Sequence, residues 1–156
     1  MRTFHVRPFT REDADAIATW KYDGPYAFYD SDADDDDLAM ILDPQNWEDM
    51  YYAAEDDRGQ LVGFFQFERD GDTVEIGLGL RPDLTGRGLG LSFIQVGLAF
   101  AQSRYAPKTF RLAVAAFNLR AITVYERAGF RRTRTYQHET NGGIHEFIEM
   151  VRSASE

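Results

Sequence analysis

The chain has 156 residues, enough for one domain and little more. Apolar residues make up 44% and charged residues 28%, a globular and not a disordered composition. The formal charge of −9, from 17 basic and 26 acidic residues, excludes a broad basic face for gripping nucleic acid, and the lack of cysteine excludes disulfides, thiolate metal sites and a Cys nucleophile.

Met1-Arg2-Thr3-Phe4-His5-Val6 lacks the apolar stretch of a signal peptide, and no run approaches the ~18 apolar residues of a membrane span. A soluble cytoplasmic protein with no membrane partner is therefore expected. Residues 1–152 read as one domain and 153–156 as a short tail. Thr3 to Arg7 reads as a strand that Pro8 ends. Thr10-Arg11-Glu12-Asp13 resembles a capping box and predicts a helix to about Trp20. Residues 20–33 read as an aromatic-rich loop. Asp34 to Leu42 reads as a short helix whose acidic first turn suits the helix dipole, with Pro44 beyond its end. Met50–Glu55, Leu61–Arg69 and Thr73–Leu80 are strands separated by the turns Asp56-Asp57-Arg58-Gly59 and Asp70-Gly71-Asp72, which makes an antiparallel meander.

The pattern then changes. Arg81 to Gly90 is a Gly-rich loop, and a helix follows to about Arg104, with Leu91, Ile94, Leu98 and Ala101 at helical spacing. Thr109–Ala115 is a mostly apolar strand, which predicts burial on both faces. Asn118 opens a helix that Gly129 stops. Arg131–Thr140 and His145–Val151 are strands around Asn141-Gly142-Gly143. The order is βααβββαβαββ, an α+β fold with a mixed, mostly antiparallel sheet of six to seven strands and about four helices on both sides.

The strand–loop–helix at residues 73–104 is the chemically informative feature. A helix N-terminus offers free N–H groups and partial positive charge, so it can hold a phosphate without Lys or Arg. Gly86, Gly88 and Gly90 remove side chains where the backbone must come close to an anion. A nucleoside-triphosphate loop needs G-x-x-x-x-G-K-S/T, but Gly90 is followed by Leu91 and Ser92. A dinucleotide fingerprint belongs after the first strand of a parallel βαβ unit, whereas this loop follows a meander. A tight strand-to-helix connection with no ligand remains open on the glycine spacing alone.

Leu80-Arg81-Pro82-Asp83-Leu84-Thr85-Gly86-Arg87-Gly88-Leu89-Gly90 resembles the acetyl-CoA-binding motif of the GNAT superfamily of N-acetyltransferases, Q/R-x-x-G-x-G/A. Asn118 to Phe130 resembles that family's second motif, N-x-x-A-x-x-x-Y-x-x-x-G-F. Thr85 stands where the motif has Gln or Arg, with Arg87 close by as a compensating charge. The resemblance implies acetyl-CoA as acyl-donor cosubstrate, its pyrophosphate on the N–H groups of Thr85, Gly86, Arg87, Gly88, Leu89 and Gly90. Its pantetheine arm would run beside Leu78 and Leu80, toward Asn118, Arg120, Ala121 and Tyr125. It implies Tyr125 as the acid that protonates the leaving thiolate, a role that suits a phenol of pKa about 10. Packing of Tyr125 against the sheet is the alternative. Strand alternation puts Glu75, Gly77 and Gly79 on one face. They form either a groove with a carboxylate at its end or seats for a bulge or a neighbouring element. Glu75 is the candidate base, acting through a water; its alternative is a partner for a cross-strand Lys or Arg.

The segment Trp20 to Asp30 carries five aromatic residues and is followed by an Asp-rich run. In the family this connection lines the acceptor site, so Trp20, Tyr22, Tyr26 and Tyr29 are candidates to hold a cationic amine. Alternatively these rings plug the core edge and the Asp run is a solvated helix start. His5, His138 and His145 are dispersed, and no metal site is expected. The expected activity is transfer of an acetyl group from acetyl-CoA to a primary amine of a small molecule or peptide. With no cysteine to carry the acyl group, the amine attacks directly in a ternary complex. The other reading is a non-catalytic acyl-CoA-binding sensor or interaction module. Exposed edge strands near the C-terminus are compatible with a homodimer.

Overall fold

A computed structural model describes residues 3–155; Met1, Arg2 and Glu156, part of the expected domain and tail, lie outside the described residues. Strand β1 (His5–Pro8) leads to Thr10, which caps α1 (Arg11–Ala18). The capping box is complete: Asp13 N–H donates to the Thr10 hydroxyl oxygen, and Thr10 N–H donates to the Asp13 carboxylate at 2.9 Å. Arg7 clamps that carboxylate with two bonds of 2.7 and 2.9 Å and reaches Glu55 with its Nε, tying β1, α1 and β2 (Tyr51–Glu55) together. Residues 20–33, expected as loop, contain two short 3-10 helices, Gly24–Tyr29 and Ser31–Ala33. Asp34 then caps α2 (Asp35–Leu42) by accepting the N–H groups of Asp36 and Asp37.

Strands β3 (Leu61–Asp70) and β4 (Thr73–Leu80) complete the meander; α3 (Gly90–Tyr105), β5 (Thr109–Ala115), α4 (Leu119–Arg127), β6 (Arg131–Thr140) and β7 (Gly143–Ser153) follow. The element order is the expected one. Among the described residues seven strands lie in the order β1-β2-β3-β4-β5-β7-β6, and only β4 and β5 pair in parallel. Helices α3 and α4 cover one face over a core that includes Phe65, Phe93, Phe110, Leu112, Ile122, Phe130 and Met150. On the opposite face α1 and α2 bury Ala14, Ile17 and Ile41 against Tyr51 and Ala53.

Close approach of α3 to the sheet depends on two glycines. A Cβ on Gly97 would lie 2.4 Å from the Phe65 ring, and one on Gly63 would lie 2.5 Å from Phe93. With both absent, Phe65 and Phe93 stack at 4.5 Å. This contact fixes the height of α3, and hence of its N-terminus, above β4.

Two expectations change. Strand β5 is not buried along both faces: Phe110, Leu112 and Val114 point into the core, whereas on the other face Arg111 is half-buried and Ala113 exposed, and burial returns only at Ala115. Among the described residues no helix covers that part of the second face, because α1 and α2 pack over β2 and β3. The last hairpin turns on two residues, Asn141 and Gly142, both with positive φ (53° and 75°) as a type I′ turn requires, so β7 starts at Gly143. It runs through Ser153, and Ala154 N–H donates to the Lys108 carbonyl.

Candidate active site

Strands β4 and β5 pair only at Thr73–Thr109, Val74–Phe110 and Glu75–Arg111. Beyond these pairs β4 stays with β3 as far as Leu80, and β5 stays with β7 as far as Ala115, so the two strands part in a V. Register tells which backbone groups face the gap. Arg81 N–H donates to the Val62 carbonyl, which makes Leu80 and Gly63 a non-hydrogen-bonded pair. The N–H and C=O of Leu80, and of Leu78 two residues back, therefore point away from β3 into the V. On the other arm Ala116 N–H donates to the Glu146 carbonyl, so by the same logic Ala115 turns its N–H toward the gap.

The Gly-rich loop sits at the mouth of this V. Gly86 and Gly88 have φ of 72° and 76°, a left-handed backbone that other residues adopt only with strain. Arg81 pins the loop by pairing with Asp83 and donating to the Leu61 carbonyl. No side chain caps α3, so the N–H groups of its first turn face the loop without a side-chain partner. Thr85 is already engaged: its hydroxyl and its N–H both donate to the Pro82 carbonyl, at 2.8 and 3.3 Å. Arg87 is exposed, and an Arg120 nitrogen comes within 3.4 Å of the place a Gly86 Cβ would take. The donor set for a diphosphate is thus main-chain amides with two cationic side chains nearby, and open backbone where a Cβ would intrude.

Three of the four tyrosine and tryptophan candidates from the aromatic segment also reach the V. The Tyr22 hydroxyl donates to the Leu80 carbonyl at 2.7 Å. The Tyr26 ring lies under the Arg120 guanidinium at 4.1 Å. The Tyr29 oxygen accepts from Asn118 Nδ2 at 3.1 Å, while Asn118 Oδ1 caps α4 through Ala121 N–H. Trp20 stays apart, packed 6.4 Å from Phe64 in the smaller core. The segment therefore straps the V from the β4 arm to the β5 arm. The β6–β7 turn holds the strap in place: Asn141 Nδ2 donates to the Phe28 carbonyl, and Thr140 and Asn141 both donate to the Asp34 carboxylate. Much of the Asp-rich run is likewise engaged, with Asp30 accepting Tyr22 N–H and Asp32 paired with Lys21.

Tyr125 is half-buried on α4, edge-on to Phe130 at 6.3 Å. Burial pushes its phenol well above the ordinary value, and the nearby Tyr29 adds to the shift. At the crotch of the V, on the face opposite α3, lies a hollow of about 140 Å³ lined by Gln66, Glu68, Glu75, Ile76, Gly77 and Ala113. Of the expected groove residues, Glu75 and Gly77 line it. Gly79 does not: the Phe64 ring fills its place, 2.5 Å from where a Cβ would sit. Glu75 accepts from Arg111 Nε at 2.8 Å, and Glu68 lies opposite it in the ladder. Tyr136 of β6 faces the same charges; burial first, then Glu75, raises its phenol.

Sequence reasoning missed Arg111, Tyr136, Asn141 and Phe117, whose ring packs against Tyr26, Phe28 and Tyr29 of the strap. Parity along β5 would have put Arg111 and Ala113 on the Glu75 face had the parallel pairing been known. Asn141-Gly142 was visible as a turn signal, but nothing local says that it docks on a segment more than a hundred positions away.

The acetyltransferase (GNAT) domain model matches residues 4–131, and the chain belongs to that family. Its curated relatives include the mycothiol acetyltransferases of Streptomyces coelicolor, 36% identical over 115 residues (70% of this chain, 33% of that protein), and of Streptomyces avermitilis, 35% identical over 107 residues (67% and 33%). The chain spans about a third of the length of these relatives. Among solved structures, the spermidine N-acetyltransferase of Vibrio cholerae in complex with CoA and spermine superposes with a TM-score of 0.75 at 20% identity, covering 97% of this chain and 96% of that one. A chimera of that enzyme with hSSAT gives 0.79 at 19% identity over the same shares. These likenesses establish the fold.

Proposed function

We propose that the protein transfers the acetyl group of acetyl-CoA to the primary amine of a small cationic acceptor. The observation that carries this reading is the V between β4 and β5. Its inward N–H groups lie between a Gly-rich helix start on one side and an acid-lined hollow on the other. Main-chain amides from Gly86 to Gly90, supported by Arg87 and Arg120, take the diphosphate, while the Thr85 N–H stays with the Pro82 carbonyl. Leu78 and Leu80 offer backbone N–H groups that run beside the pantetheine arm and stabilise the oxyanion as the amine adds to the thioester. Glu75, through a water, removes the proton that an acceptor ammonium of pKa about 10 must lose before it attacks. Tyr125 donates a proton to the sulfur as the carbon–sulfur bond breaks, while the nitrogen's second proton leaves through the same water to Glu75, which has passed the first to solvent, so neutral amide and free thiol leave together.

The acceptor side rests on charge and shape. Glu68 and Glu75 at the hollow, with the aromatic strap above, favour a positively charged amine. The names of the relatives give mycothiol and spermidine, and the acid-lined hollow favours a positively charged acceptor of the spermidine kind. Purified protein should release free thiol from acetyl-CoA with at least one member of a panel of polyamines, aminoglycosides, small primary amines and peptides. Binding of coenzyme A without thiol release across the panel would favour the non-catalytic sensor instead.

A further inference from the structure

Arg120 is held in an unusual way. Arg7, Arg81, Arg104 and Arg111 each pair with a carboxylate. Arg120 is exposed and, among the described residues, pairs with none; its guanidinium lies instead 4.1 Å from the centre of the Tyr26 ring. The same side chain brings a nitrogen within 3.4 Å of the place a Gly86 Cβ would take, beside a turn whose φ of 72° leaves the backbone open. The first turn of α4, the strap and the Gly-rich loop therefore meet at one guanidinium.

A ring is a suitable holder for a cation that must bind a phosphate. The ring face attracts the cation as a whole, whereas a carboxylate would take its N–H donors and cancel its charge. An exposed arginine loses much rotamer freedom when it binds, and one already placed has less to lose. Tyr26 is itself restrained: it is half-buried, and its ring lies 6.2 Å from that of Phe117, which also packs on Phe28 and Tyr29. Phe117 directly precedes Asn118, the cap of α4, so the ring cluster is tied to the helix that carries Arg120. The Tyr26 face that could have met an acceptor ammonium is covered by a cation of the protein's own.

Resting on the reading of the Gly-rich loop as a diphosphate site, we propose that Tyr26 serves the acyl donor and not the amine. It is a positioning residue that holds Arg120 beside Gly86, where the diphosphate of coenzyme A arrives.

Isothermal titration with coenzyme A tests this on the native protein, Tyr26→Leu, Arg120→Met and the double variant. Tyr26→Leu should weaken binding about threefold, as loss of an exposed cation–π contact does, and Arg120→Met at least as much. In the Arg120→Met background the Tyr26 change should add no more than about 1.5-fold, because no cation is left to hold. Tyr26→Phe keeps the ring face and should bind as the native protein does. Unchanged or tighter binding by Tyr26→Leu overturns the assignment, as does a Tyr26→Phe variant as weak as Tyr26→Leu. So does an equal loss with and without Arg120, which is what mere disturbance of the strap would give. With an amine that is turned over, KM for acetyl-CoA should rise in Tyr26→Leu while KM for the amine holds; a rise for the amine alone returns Tyr26 to the acceptor side. If Tyr26→Leu does not fold, NMR of the native protein decides. The ring should shift the Arg120 side-chain protons upfield, and the shift should persist when coenzyme A is added; its loss on binding overturns the proposal. Native protein that binds no coenzyme A overturns the diphosphate reading and the role of Tyr26 with it. Native protein that binds coenzyme A but acetylates no amine overturns the activity alone, and the titrations still decide the role of Tyr26.

Discussion

Glu75 shows how a single side chain can answer two descriptions. It accepts a hydrogen bond from Arg111 at 2.8 Å, as an ordinary cross-strand partner does, and it also lines the hollow at the crotch of the V. Kinetics separate the roles. Glu75→Gln should lower kcat/KM at least tenfold near neutral pH and recover as pH approaches the acceptor pKa, because the amine then sheds its own proton. A flat loss at every pH would leave Glu75 as the mate of Arg111 alone. Tyr125→Phe should behave differently: kcat falls by about 10²-fold while affinity for coenzyme A holds. Isothermal titration beside thiol-release kinetics reads both quantities. The tyrosines of the strap mark the limit of what single residues disclose. Their number was plain in the sequence; that Tyr22 would meet Leu80 and Tyr29 would meet Asn118 depends on contacts 58 and 89 positions apart.

At the level of elements, patterning alone recovered the order of strands and helices, because alternation, capping and turn residues are local signals. The parting of β4 and β5 was not legible. Pairing stops after Glu75 and Arg111, where β4 continues along β3 and β5 along β7; Gly77 and Gly79 follow that point, but glycine in a strand does not by itself say that pairing ends. The exposure of β5 at Ala113 escaped for a related reason: its apolar run resembles a strand covered twice, but among the described residues no helix lies over that part of its second face. Helix α3 makes a sharper prediction. Gly97→Val drives a side chain into Phe65, where even a Cβ has only 2.4 Å, and overpacking of this kind costs about 1–3 kcal/mol. Chemical denaturation should show that loss. Because the same contact sets the height of the Gly90 turn, affinity for coenzyme A should weaken in step.

Across the whole molecule, the V divides the sheet into β1–β4 and β5–β7–β6, joined by three residue pairs, the core under α3 and α4, and the strap. Asp34 is a fastener of that strap: it caps α2 over the first half and accepts Thr140 and Asn141 from the second. These bonds hold its carboxyl down at about 2, with Asn141 N–H the largest cause. A depressed folded-state value means that the contribution is present above the ordinary carboxylate range and is lost as pH falls through about 2. Asp34→Ala should therefore melt at a lower temperature than the native protein at pH 7, and the gap should narrow steadily below about pH 4. A gap independent of pH would show that the carboxylate charge is not what fastens the strap.

The short parallel ladder between β4 and β5 gives the protein a seam as well as a cleft. Tension applied along such a line concentrates on very few bonds, so rupture begins at Glu75 and Arg111 and spreads toward Thr73 and Thr109. Whatever small molecule wedges into the opening works against that rupture from within, as a key bridging two leaves of a hinge.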